Sequence, residues 1–388
     1  MEKKAATRVY YLDWLRVLGI LVVFVYHSSR FFNVEEWNVK NPVWYPWVEV
    51  WNRFATAWMM PLMFAISGAS LFYALGKEGG AGKFVKDKVL RLLVPLVVCA
   101  FTHASLQMYL QRLTHGEFSG TYFQYLPQYF FDDFSWYGMH LWYLLVLFLA
   151  SIILYPLLRW LKGQGRLSKL GDLSARPGAI YALALPMIVL VVLFDFYGAV
   201  LTGNAGWAYI IYLWLVLAGF LVVSDERVQA SIERLRWLSL SAGLILLGAS
   251  LYLLGMEAMP PFGTWRYALG WGTRALSAWC CVLAILGFGR KYLVRSTPFL
   301  TYANEAVLPF YIFHQTVLLS VGYFVVQWPI PSLLRWAIIL LTSFVNIMVL
   351  YEFLVRRFNV MRFLFGMKPR PKPPAAQPQA AAPAERAG

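Results

Sequence analysis

The sequence predicts an all-α, polytopic bundle of about ten membrane-spanning helices with both termini in the cytoplasm. Three observations predict it. The chain is 60% hydrophobic and only 14% charged, whereas a soluble domain is roughly 45–50% apolar and 25% charged. Ten apolar stretches follow one another along it, most of them long enough to cross a ~30 Å hydrocarbon core as helices. Its basic residues fall mainly on one set of loops.

The stretches lie at roughly 11–29, 54–75, 92–111, 141–161, 179–197, 207–223, 238–255, 268–289, 303–326 and 333–355. The first follows Lys3, Lys4 and Arg8 as a signal peptide would. No small-residue cleavage pattern comes after it, and YHSSRFF is a poor exit sequence, so it reads as a retained span. The fifth and sixth have the least distinct ends. Loop flanks on the starting side of the bundle hold 25 basic residues and the opposite flanks 6. Under the positive-inside rule that puts the segment 1–10 and the tail in the cytoplasm. The tail, 356–388, is basic and then Pro/Ala-rich (KPRPKPPAAQPQAAAPAERAG), a composition expected to stay disordered. Residues 11–355 are then one membrane domain. The asymmetry absorbs most of the formal charge of +15, so the partner it implies is a lipid bilayer and not nucleic acid. Cys99, Cys280 and Cys281 all sit in apolar runs, without metal-ligand spacing or a disulfide framework.

The first span, LDWLRVLGILVVFVYHSSRF, carries two ionisable groups, Arg16 and His27. An arginine at the centre of a membrane helix costs at least ~2.5–3.5 kcal/mol on insertion scales. Eleven residues at ~100° each make about three turns and 20°, so both side chains share one helix face, ~16 Å apart along the axis. Each has a plainer reading: His27 as an interfacial histidine, Arg16 as the partner of Asp13 three residues before it. Together on one face they point to function. Other polar groups fall in the same bundle. His140 and Trp142 open the fourth span, Arg274 enters the eighth, and Glu305 and His314 lie along the ninth. Pro61, Pro95 and Pro309 can break helices and free carbonyls to line a cavity. The loop 112–140 is crowded with aromatics, either an interfacial belt or a sugar-stacking platform with Asp132 and Asp133 beside it.

A neutral imidazole can take the proton from a hydroxyl as it attacks a thioester, and an arginine can bind phosphate or polarise a carbonyl. No GxSxG elbow offers a serine nucleophile, and no HExxH-type set offers a metal site. Direct transfer with His27 as general base and Arg16 on the donor is the chemistry these residues suit.

LDWLR followed by His27 resembles the first-helix signature of the integral-membrane acyltransferase-3 family. The likeness continues in order through MPLMFAISGASLFYAL, KDKVLRLLVPLVV, HLWYLLVLFLASIILYPLL and YANEAVLPFYIFHQTVLL, covering about residues 9 to 355. HLWYLLVL is closer to the glucan-succinylating branch than to the O-antigen acetylases, whose glutamate this stretch lacks. The resemblance implies transfer of an acyl group, usually from cytoplasmic acyl-CoA, to a hydroxyl of an extracytoplasmic glycan in a bacterial inner membrane. No bound cofactor is implied. His27 would match the family's catalytic histidine and Arg16 its paired arginine. Asp13, His140, Trp142, Arg274, Glu305 and His314 are the further candidates for binding donor or acceptor. A transporter or exporter of glycans or lipids, with polar groups lining a permeation path, is the alternative reading.

Overall fold

The computed structural model describes residues 9–75, 80–163, 166–174, 176, 178–194, 205–255 and 259–370. Among these the protein is helical, without strands. Seven helices among the described residues are long and apolar enough to cross a membrane: α1 (Tyr10–Ser29), α2 (Pro46–Ala74), α6 (Met139–Lys162), α10 (Arg236–Leu254), α11 (Trp265–Tyr292), α12 (Pro298–Val325) and α13 (Ser332–Val355). Two bent pairs bring the total to as many as nine. In the first, α3 (Ala81–Phe101) meets α4 (His103–Thr114) at 40°; in the second, α8 (Tyr209–Val222) meets α9 (Glu226–Arg234) at 102°. The remaining helices are α5 (Tyr122–Phe131), α7 (Ala179–Leu193), α14 (Asn359–Leu364) and a two-turn helix at Ser168–Ser174 between α6 and α7.

The count of seven to nine differs from the expected ten for local reasons. The expected fifth span narrows to α7, which opens as a 3-10 turn and is short of the ~20 residues a crossing needs. The rest of that expectation, 195–197, lies outside the described residues. α8 stops where the Asp225 side chain accepts from the Arg227 backbone and starts α9 across the bundle's end. Arg290 then pins α9 through Glu233 at 3.0 Å and through Glu226.

Helix starts follow from caps. Thr264 and Thr297 accept from the third backbone amide of α11 and α12, and Pro298 occupies the first helical position, where a missing N–H costs nothing. The prolines do not break the spans as expected. α2 runs through Pro61 and α12 through Pro309, while α3 loosens at a π turn over Val89–Leu93.

Burial separates core from rim. The apolar windows of α2 and α11 are 72% buried, those of α10 and α13 only 28%, so the latter present their aliphatic faces outward, as lipid-facing helices do. α2 and α8 cross with their backbones in contact. A Cβ added at Gly68 would lie 1.9 Å from Val216 O, and one at Gly219 1.9 Å from Ala65 O. Only glycine permits that approach.

Part of the expected tail is built into the fold. α14 and the residues to Arg370 pack against the bundle: Arg362 and Phe365 are buried. Residues 371–388 lie outside the described residues.

Candidate active site

The face of α1 that carries Arg16 and His27 borders two cavities. His27 lines one of ≈ 710 Å³, the histidine cavity, with Trp37, His140, Trp142, Trp271 and Arg274 in its wall. Arg16 lines another of ≈ 520 Å³, the arginine cavity, with Ser70, Lys88, Arg91, Asn304 and Glu305. Tyr311 alone among the described residues lines both. The consecutive residues Trp142 and Tyr143 split the same way, one to each cavity.

Arg16 is held by three acceptors. Its Nη1 donates to Asp13 Oδ1 and to Asn304 Oδ1, both at 3.0 Å, and Nη2 donates to Ser70 Oγ at 2.7 Å. These bonds offset the cost of placing a guanidinium in an apolar helix. They also gather α1, α2 and α12 around one group.

Hydrogen bonds fix the state of the histidines. His27 Nδ1 is 2.9 Å from Val23 O and 3.2 Å from His314 Nε2. A carbonyl only accepts, so the Nδ1 of His27 carries the proton and donates. By the same rule His314 Nδ1 donates to Tyr311 O, leaving its Nε2 as a second, longer acceptor for the one His27 Nδ1 proton, shared with Val23 O. His27 Nε2 is then the nitrogen free to take a proton from a molecule in the cavity. Behind this pair His140 Nε2 donates to Ile312 O at 3.2 Å, while its Nδ1 accepts from Gln107 Nε2 at 3.3 Å. Gln107 also donates to Thr316 Oγ1 at 2.8 Å. The ring centroids of His27 and His140 each lie 4.9 Å from that of His314.

The sequence candidates therefore fall into four places. His27, His140, Trp142 and Arg274 border the histidine cavity, and Arg16 and Glu305 the arginine cavity. Asp13 stands beside Arg16 but off the wall, and His314 backs His27 from within the protein, in neither wall. The Arg274 guanidinium sits over the rings of Trp207 and Trp271, 5.2 and 5.4 Å from their centroids. Tyr311 and Gln107 escaped sequence reasoning. Tyr311 lies three residues before His314, on the same helix face, and that spacing was the available signal. Gln107 offered only an isolated amide in an apolar segment. Among the described residues no group of three or more His, Cys, Asp or Glu side chains is arranged to hold a metal ion.

The aromatic loop packs around two of its own tyrosines while Phe123, Phe131 and Trp136 stay exposed. Tyr125 and Tyr129 are fully buried. Asp133 accepts from Arg112 Nη2 at 2.5 Å and Tyr125 Oη at 2.6 Å. Burial opposes ionisation of Asp133, but these bonds outweigh it and hold its carboxyl below the usual range. Asp133 is thus spent on the loop itself; Tyr137, Met139 and His140 are what the region gives the histidine cavity.

A sequence model of the acyltransferase-3 family, described as an acyltransferase domain, matches residues 9–352. The chain belongs to this family. It is a multi-pass membrane acyltransferase. Similar proteins include the "Glucans biosynthesis protein C" of Salmonella enteritidis, Salmonella choleraesuis and Salmonella paratyphi C. Each is 23% identical over 391 positions, covering 95% of this chain and 97% of the relative. The likeness read from HLWYLLVL to a glucan-modifying branch agrees with these relatives. No solved structure gives a significant match.

Proposed function

We propose that this acyltransferase moves an acyl group from cytoplasmic acyl-CoA to a hydroxyl of an extracytoplasmic glycan, or a related envelope molecule, in a bacterial inner membrane. The observation that carries the reading is the division of one helix face between two cavities that share Tyr311 in their walls. The 25-to-6 bias of basic flanks supports placing the arginine cavity on the cytoplasmic side, where an anionic donor is found. The name of the Salmonella relatives supports a glucan as acceptor class.

Donor enters as a substrate and meets Arg16, whose fork suits a phosphate, while the thioester reaches toward His27. An acceptor hydroxyl in the histidine cavity gives its proton to His27 Nε2 as its oxygen bonds to the thioester carbon. The carbon–sulfur bond then breaks, and the imidazolium returns the proton to the departing thiolate, giving ester and free thiol. His314, accepting from Nδ1–H, holds the ring and stabilises the cation formed in the step; it is a positioning residue, as Asp is for the histidine of a hydrolase triad.

The test is transfer of labelled acyl groups from CoA thioesters to envelope glycans in membranes, normalised to protein. Arg16→Lys keeps the charge but loses the planar fork, so the donor KM should rise by about 10-fold or more, the scale of a lost charged hydrogen bond. A defect confined to acceptor KM would reassign the arginine. Absence of transfer by the unaltered protein with every CoA thioester tried would overturn the donor reading.

A further inference from the structure

The wall of the arginine cavity holds five cations, Arg16, Lys88, Arg91, Arg362 and Lys368, against one carboxylate, Glu305. Like charges gathered at a partly desolvated site repel strongly unless an anion of several charges joins them. Two of the five, Arg362 and Lys368, come from the chain beyond the last long helix.

That segment is fixed where it stands. Arg362 Nη1 donates to Glu305 Oε1 at 2.7 Å, and its Nε donates to Lys368 O at 2.7 Å, folding 362–368 into a tight loop. Phe365 inserts beside Phe313 of α12, with ring centroids 4.7 Å apart. Gly366 adopts φ +66 and lies so close to the π turn that a Cβ on it would be 2.6 Å from Arg91 O. The backbone of Arg370 closes the segment by donating to Asn359 Oδ1 at 3.0 Å. The contacts run from Glu305 on one side of the cavity to Arg91 on the other. A guanidinium has five N–H donors, and two suffice for Glu305 and Lys368 O, which leaves the group able to receive an oxyanion as well.

We infer that residues 359–370 complete the arginine cavity and that Arg362 and Lys368 bind phosphate groups there, those of the acyl-CoA donor. This rests on the donor reading above, but its chemistry, phosphate recognition, is also that of an anionic lipid headgroup. The experiment separates the two sources. Ala74 lines the cavity, and the native cysteines are buried, so Ala74→Cys reports occupancy by its reaction with a charged thiol reagent. The purified full chain is labelled with CoA present, with pantetheine present, or in nanodiscs of phosphatidylglycerol or phosphatidylcholine.

CoA should protect the cysteine, and the concentration for half protection should rise about 10-fold or more in R362Q/K368Q. Weak protection by pantetheine, which lacks phosphate, should not change. The donor KM should rise in step. Equal half-protection by CoA in both proteins overturns the inference. So does a cysteine that neither CoA nor phosphatidylglycerol protects. Protection by phosphatidylglycerol alone, lost in R362Q/K368Q, keeps the phosphate site but assigns it to lipid and overturns the donor reading. If R362Q/K368Q fails to fold, Lys368→Gln alone decides, because the Lys368 side chain is exposed on the loop.

Discussion

Replacing His27 by alanine leaves the protein inserted and folded but lowers acyl transfer by ~10²–10⁴-fold, the usual contribution of a general base. The side chain borders a cavity and, among the described residues, is hydrogen-bonded through Nδ1 to Val23 O and His314 Nε2, so its removal enlarges the cavity without leaving a buried charge. His314→Ala should lower kcat with less effect on either KM, because His314 lies in neither cavity wall and acts through His27. His314→Gln has a side-chain oxygen that can accept the same proton, and should recover part of the rate. The measurement is steady-state transfer with donor and acceptor varied separately. Near-normal turnover in His27→Ala would refute the mechanism. Activity in His27→Ala that is lost only when His314 also changes would move the base to His314.

Gly219→Val should abolish the folded protein. A Cβ at this position would sit 1.9 Å from Ala65 O, and the reciprocal contact at Gly68 is equally short. No rotamer relieves a clash between a Cβ and a backbone carbonyl. α2 and α8 must separate, at a cost above the ~1–3 kcal/mol typical of overpacking a core. Since α2 supplies Met60 to one cavity and Met63, Ser67 and Ser70 to the other, a separation deforms both. Size-exclusion profiles and thermal melts in detergent read the effect. Gly248→Ala is the control, for nothing lies within 4 Å of a Cβ there; a melt for Gly219→Val as high as the control's would contradict the crossing.

The membrane class and the positions of the long helices were legible because a ~20-residue apolar run has few other uses. Bends were not. The turn after α8 depends on one side chain, Asp225, reaching a backbone amide, and the π turn in α3 leaves no mark in hydropathy. Arg16 and His27 were legible because helical spacing fixes a shared face from sequence alone. Tyr311, Gln107 and Arg362 were not, since each matters through a contact with residues distant in the chain. The tail's composition gave no sign that residues 359–370 dock through a phenylalanine, a glycine and an ion pair.

Tyr311 has a consequence for fidelity. A thioester near a wet site hydrolyses, and water is a smaller nucleophile than any sugar hydroxyl. The Tyr311 hydroxyl donates to His140 O at 2.6 Å, which holds in place the one ring that lines both cavities among the described residues. In the proposed reading, a donor on one side and an acceptor on the other face the same aromatic ring. Under the proposed mechanism, an acceptor oxygen seated beside His27 occupies the position from which water would attack. Discrimination between transfer and wasteful hydrolysis then comes from occupancy, not from any difference in reactivity between water and sugar. Such an enzyme spares its thioester until both chambers are filled.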